Sequence, residues 1–191
     1  MDIGTLITLG ILIVIVVYGI TIYNSLVQIK HNVTKAWANI DVLLKQRHDE
    51  LPKLVETCKQ YMKFEQDTLT RVIEARSKVF SAREAQNVPA LGQAEGALRS
   101  ALGSLFALAE SYPDLKTNQT FQQLQARISS LENGIADRRE FYNESVNVNN
   151  VRIEQFPDSI FASMFGFKPA QLLEFSEEEK KDVDIKLLFG N

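Results

Sequence analysis

From Ile3 to Tyr23 the chain runs IGTLITLGILIVIVVYGITIY, 21 residues without a charge. At 1.5 Å per residue a helix of that length is roughly 31 Å long, the thickness of a bilayer's hydrocarbon core. In lipid every backbone amide must find its partner within the segment, and a helix is the simplest way to arrange that. Tyr18 and Tyr23 lie toward one end, where aromatic rings favour the water–lipid boundary. A cleaved signal peptide would need a basic start, a shorter apolar run and a small-residue cleavage site. Here Asp2 precedes the run, the run is long, and Asn24-Ser25-Leu26-Val27 follows. The expectation is an uncleaved transmembrane anchor over residues 1–25, spanning about 3–23, with the lipid bilayer as its first partner.

Charge around the span predicts its direction. Asp2 is the charged residue on the short side, whereas Lys30, Lys35, Lys45 and Arg47 follow on the other. The positive-inside bias places the N-terminus outside and the bulk of the chain in the cytoplasm. Cys58 is the single cysteine, which precludes an intramolecular disulfide and agrees with a reducing compartment. Asn32, Asn118 and Asn143 match the glycosylation pattern, but on helices inside a cell these matches are accidental.

The rest reads as helix. Leu26, Ile29, Val33, Trp37, Ile40 and Leu44 recur at steps of three and four. Pro52 lacks an amide hydrogen and disfavours helical geometry at Leu51, so a kink or short break is expected there, with Asp49 as a candidate cap. Leu51, Leu54, Val55, Cys58, Tyr61, Met62, Leu69, Val72 and Val79 form a second stripe, interrupted by Glu65 and Arg76. Asn87 and Pro89 signal a helix start, and Leu91, Leu98, Leu102, Leu105, Leu108 and Tyr112 follow as the third stripe. On it, Gly92 and Gly96 point either to a close helix contact or to a weak spot. Pro113 ends that helix, Thr117 or Asn118 can cap the next, and Phe121, Leu124, Ile128, Leu131, Ile135 and Tyr142 alternate by three and four, with Arg138 filling the missing step. The expected fold is all-α: the transmembrane helix continues into an antiparallel up-and-down bundle with coiled-coil-like packing over 26–155, its helices at about 24–50, 52–83, 88–111 and 118–153.

Six of the eleven phenylalanines fall in residues 156–191: Phe156, Phe161, Phe165, Phe167, Phe175 and Phe189. A tail this aromatic is too apolar to float freely. It either folds back on the bundle or contacts another subunit, with docking into a different partner as the alternative. Asn147, Asn149 and Asn150 just before it either bond across the bundle or specify a register, or else mark a fraying helix end.

Chemistry is sparse. A carboxylate-bridged metal pair in a bundle needs Glu-x-x-His on two helices. The two histidines, His31 and His48, have Gln28 and Lys45 three residues before them, so no metal site is expected. No G-x-S-x-G, phosphate-binding loop or H-E-x-x-H is present. Cys58 on an apolar stripe reads as a small buried hydrophobe, Trp37 as a packing residue, and the acidic run Glu177–Asp184 as a solvated segment. No catalytic residue, cofactor site or small-molecule substrate is predicted. A net charge of −3 with no concentrated basic face excludes nucleic acid as a natural partner.

The stretch YNSLVQIKHNVTKAWANIDVLLKQRHDELPKLVETCKQY at 23–61 resembles the opening of LemA-family proteins, with the apolar span just before it. YPDLKTNQTFQQLQ (112–125), ENGIADRREFYNESVNVNN (132–150) and FPDSIFASMFGF (156–167) match further pieces in order. Leu43 and Cys58 depart from the family pattern as apolar substitutions. The resemblance implies a bacterial inner-membrane protein with no established activity to transfer and with roles in membrane organisation or complexes. The expected function is therefore a non-enzymatic membrane scaffold that forms homo-oligomers or docks other membrane proteins. A membrane-state sensor, or an accessory subunit of a membrane enzyme such as a protease, is the alternative.

Overall fold

The computed structural model describes residues 2–174. Among them the chain forms six helices: α1 (Ile3–Lys59), α2 (Gln66–Glu84), α3 (Val88–Ala109), α4 (Pro113–Lys116), α5 (Gln119–Glu154) and α6 (Asp158–Phe165). No strand occurs among the described residues. Packing divides the chain into two compact units. Among the described residues, the first consists of the chain up to Ile40 together with Arg138–Leu172, and the second of Asp41–Asp137 with Leu173 and Glu174. The expected tail, beginning at residue 156, is thus part of the first unit through Leu172. Phe175, Phe189 and the acidic run Glu177–Asp184 lie outside the described residues.

Of the kink or short break expected at Pro52, the break does not occur. Helix α1 continues through it to Lys59, and the chain turns at 60–65, where the Tyr61 and Met62 amides close back on the Cys58 carbonyl. Asp49 is an exposed mid-helix residue rather than a cap. A proline at 52 cannot donate to the carbonyl of residue 48, and that orphaned acceptor is the main reason prolines end helices. Here the Arg76 guanidinium, arriving on α2, donates from Nε to the His48 carbonyl at 3.0 Å. A second nitrogen of the same group, Nη2, lies 2.6 Å from Nε2 of the His48 ring. Tertiary hydrogen bonding replaces what the proline removed, so the helix passes through.

The second unit is an antiparallel bundle of the last third of α1 with α2, α3 and the first half of α5. Contacts run in opposite directions along α1 and α2. Asp41 takes Arg83 side-on, with Nε–Oδ1 at 2.5 Å and Nη2–Oδ2 at 2.9 Å, and His48 meets Arg76 two turns later. On the other side, Glu50 of α1 pairs with Arg127 of α5 at 3.1 Å. Leu44, Leu51, Leu54, Cys58, Met62, Leu69, Val72, Leu91, Leu98, Leu105 and Ile128 are all buried between the helices. Each such aliphatic chain contributes about 1.5–3 kcal/mol. The α2–α3 turn puts Gln86 at φ 50, and the Asn87 amide reaches back to the Ala82 carbonyl at 3.0 Å, a closing bond typical of a left-handed helix end. Asn87 then caps α3 by accepting from the Ala90 amide at 3.1 Å, as its position before Pro89 implies. Asn118, not Thr117, caps α5 by accepting from the Phe121 amide at 3.0 Å. Gly92 is explained by close approach: a Cβ there would sit 2.4 Å from the Glu174 carbonyl oxygen.

In α5 the buried positions are 121, 124, 128, 131, 135, 139, 142, 146 and 149. Arg139 therefore occupies the stripe, and Arg138, expected there, is exposed. Two successive four-residue steps, Leu131 to Ile135 to Arg139, keep pace with the 3.6-residue helix where strict 3-4 alternation drifts away from it. The register change falls where α5 passes from one unit to the other.

In the first unit α1 and α5 are antiparallel, with Trp37 edge-on to Tyr142 at 5.5 Å between ring centroids. Ile22, Leu26 and Ala162 form its innermost cluster, flanked by Ile153, Phe161 and Phe167. Replacing Arg76 with alanine should cost about 1.5–3 kcal/mol, since it strips a charged donor from a carbonyl that has no other helical partner. The same replacement in a Pro52→Ala background should cost clearly less, because the restored amide satisfies His48. Urea unfolding of the four proteins in detergent, read as a double-mutant cycle, measures the difference.

Candidate functional site

Two polar constructions lie against otherwise apolar packing, one in each unit. In the second unit Arg47 of α1 is 1% exposed, with its Nη1 on Glu132 of α5 and its Nη2 on Glu95 of α3. Arg99 approaches the second oxygen of Glu132 at 3.6 Å. Burial alone would weaken the charge on Arg47, but the two carboxylates offset this and raise its pKa. A guanidinium so held only donates and does not exchange its proton, so Arg47 itself is neither an acid nor a base. It ties three helices together at one level. Sequence reasoning missed the cluster, treating Arg47 as flanking positive charge. The signal was present: Arg47 sits three residues after Leu44 and four before Leu51, and Glu95 lies between Leu91 and Leu98 on the same face.

The other candidates resolve individually. Cys58 is buried, and burial pushes its thiol up to about 12, so it is held as an inert hydrophobe. His31 is exposed, whereas His48 stacks on Phe80 at 4.7 Å and meets Arg76. The guanidinium can only donate, so the His48 ring accepts at Nε2 as neutral imidazole. Desolvation first, and the Arg76 charge second, lower its pKa. Among the described residues no three His, Cys, Asp or Glu side chains gather where a metal ion would be held.

In the first unit the asparagine cluster has a definite job. Asn150 Oδ1 accepts from the Ala170 amide at 2.9 Å while its Nδ2 donates to the Ala170 carbonyl at 3.0 Å. Asn149 Nδ2 donates to the Lys168 carbonyl at 3.4 Å, and the Tyr142 hydroxyl to the Gln171 carbonyl at 2.9 Å. Asn147 is exposed and takes no part in this clamp. The segment after α6 is thereby laid antiparallel along α5, so the described part of the aromatic tail folds back. Phe161 then reaches the place where a Cβ on Gly19 would sit, at 3.1 Å, and Tyr23 meets Phe165 at 4.8 Å and Phe167 at 6.1 Å between ring centroids. Sequence alone located the asparagines and phenylalanines but could not pair them.

Arg47→Met should destabilise the second unit by about 3–5 kcal/mol, because two carboxylates are left in the interior. The triple variant Arg47→Met, Glu95→Leu, Glu132→Leu should recover most of that loss in the same urea titration. For His48 the folded pKa lies below the unfolded value of 6.5, so the unfolded chain binds more protons as pH falls through that range. Stability is retained above pH 6.5 and declines below it, and Tm should drop from pH 7 to 5.5 by more in the parent than in His48→Gln.

The remaining question is what kind of protein carries this construction. The sequence profile of the LemA family matches residues 36–187. Magnetosome protein MamQ 2 of Paramagnetospirillum magneticum is 24% identical over 186 residues, covering 85% of this chain and 68% of that protein. Protein LemA of Metamycoplasma hominis is 27% identical over 161 residues, covering 84% and 73% respectively. Magnetosome protein MamQ of Magnetospirillum gryphiswaldense is 23% identical over 186 residues, with 85% and 68% coverage. With the match extending from within α1 to residue 187, the chain belongs to the LemA family.

Proposed function

We propose that this protein is a non-enzymatic, membrane-anchored helical scaffold that self-associates or docks other membrane proteins. The observation that carries the reading is helix α1. An 18-residue stretch of it is apolar enough to cross a membrane and has none of its residues buried, which sets it apart from the covered core helix of a globular protein. The same helix continues without a break to Lys59, so a cleavage site would have to lie inside regular helix. Lys30, Lys35 and Lys45 on the far side of the span support an outside N-terminus and a cytoplasmic body in the inner membrane. The buried charges Arg47, Glu50 and Glu95 are paired into contacts between helices, the thiol is inert, and the names of the MamQ relatives designate a component of a structure, not a reaction.

Full-length protein extracted from native membranes in mild detergent should appear in mass photometry as particles heavier than one chain, or co-purify with a membrane protein in stoichiometric amount. A strictly monomeric particle with no companion would overturn the scaffold reading.

A further inference from the structure

Helix α6 sits in a place a tail has no need to reach. Phe161 fills the space above Gly19, which lies four residues inside the apolar span, about 6 Å below Tyr23 along the axis. Phe161 and Phe165 join Ile15, Val16, Ile20 and Tyr23 around an apolar hollow of about 420 Å³. If the span lies in lipid, these two rings lie there too.

The rest of α6 is built for the same place. At 100° per residue, Ile160, Phe161, Met164 and Phe165 fall within an arc of about 140°, while Ser159 and Ser163 share the other side. Asp158 and Ala162 face the protein, the aspartate paired with Arg152 at 2.9 Å. After Asp158 the helix carries no charge. Its apolar arc is open: Ile160 is 52%, Met164 69% and Phe165 55% exposed, with Phe156 82% exposed in the turn before it. In water such a face would be an aggregation liability. It is continuous, through the hollow, with the uncovered surface of the span. Helix ends that must stay satisfied at this depth are closed internally, the Ser159 amide on the Gln155 carbonyl at 2.7 Å and the Phe167 amide on the Ala162 carbonyl at 2.9 Å across the left-handed Gly166.

We infer that α6 is a second membrane-contacting element: an amphipathic helix lying in the bilayer boundary beside the last turns of the span, its Ile160–Met164–Phe165 face in the acyl-chain region. The partner is the lipid itself. The inference rests on the span being the membrane anchor, and the test separates the two.

Full-length protein would be reconstituted into phosphatidylcholine–phosphatidylglycerol vesicles whose acyl chains are dibrominated, near the headgroup in one preparation and near the chain ends in another. Tryptophan is placed by Leu12→Trp in the span, by Ile160→Trp and Met164→Trp on α6, and by Gln122→Trp in the second unit, with the Trp37 signal of the parent subtracted. Expected are at least two-fold bromine quenching of the Met164→Trp and Ile160→Trp signals and shielding of both from aqueous acrylamide, with the Gln122→Trp signal showing the reverse. Quenching at Leu12→Trp alone, with both α6 positions open to acrylamide, overturns the inference and leaves the anchor standing. Shielding of the α6 positions from both quenchers means a protein surface covers the face and also overturns it. No bromine quenching at any position, Leu12→Trp included, removes the anchor and the inference together.

Discussion

Helix α1 runs without a break from its apolar N-terminal stretch to Lys59, past a carbonyl that must find its partner on another helix. Pro52 leaves the His48 oxygen without an amide, and in an isolated helix that is where the chain would bend or stop. The Arg76 guanidinium restores the partner from a neighbouring helix. That single bond links two levels of structure. The continuity of α1, a local property, becomes conditional on α2 being docked, a tertiary one. It also explains why a proline is tolerated seven residues before the helix ends, with Leu51, Leu54 and Val55 around it all buried.

Much of the fold was legible from periodicity. The apolar steps in Leu51–Val79, Leu91–Leu105 and Phe121–Ile135 reappear as largely buried faces, that in Leu26–Leu44 as a face buried at Leu26, Ile40 and Leu44 and half-buried between, and Asn87 and Asn118 cap the helices that follow them. What went astray has one kind of cause. The short break allowed at Pro52 as one of two outcomes, and the Arg138 assigned to the stripe where Arg139 lies, were both inferred from local rules. A partner distant in sequence decides the first, and a register change between two differently packed halves of α5 the second. The Arg47–Glu95–Glu132 cluster escaped notice because each charge, taken singly, looks like a solvated residue. Only their shared level in the bundle makes them a set.

The two polar constructions do different work. In the second unit a buried cation between two carboxylates adds little net stability, since desolvation offsets the attraction. It does penalise any arrangement of the three helices in which one charge loses its partners, which favours a single register over others of similar apolar burial. In the first unit the hydrogen bonds come from asparagine and tyrosine and end on backbone atoms, holding an extended segment that has no helix of its own to satisfy it.

That last arrangement has an evolutionary implication. An amide that grips both the N–H and the C=O of residue 170 behaves like the edge of a neighbouring strand and takes no notice of the side chain there. Point changes at that position should be cheap, provided the amide hydrogen is kept. Inserting or deleting a residue between Gly166 and Ala170 would be costly, because it moves a different peptide unit into the grip and drags the preceding helix out of step with its seat. Descendants of this chain are thus freer to vary the spelling of the segment than its length.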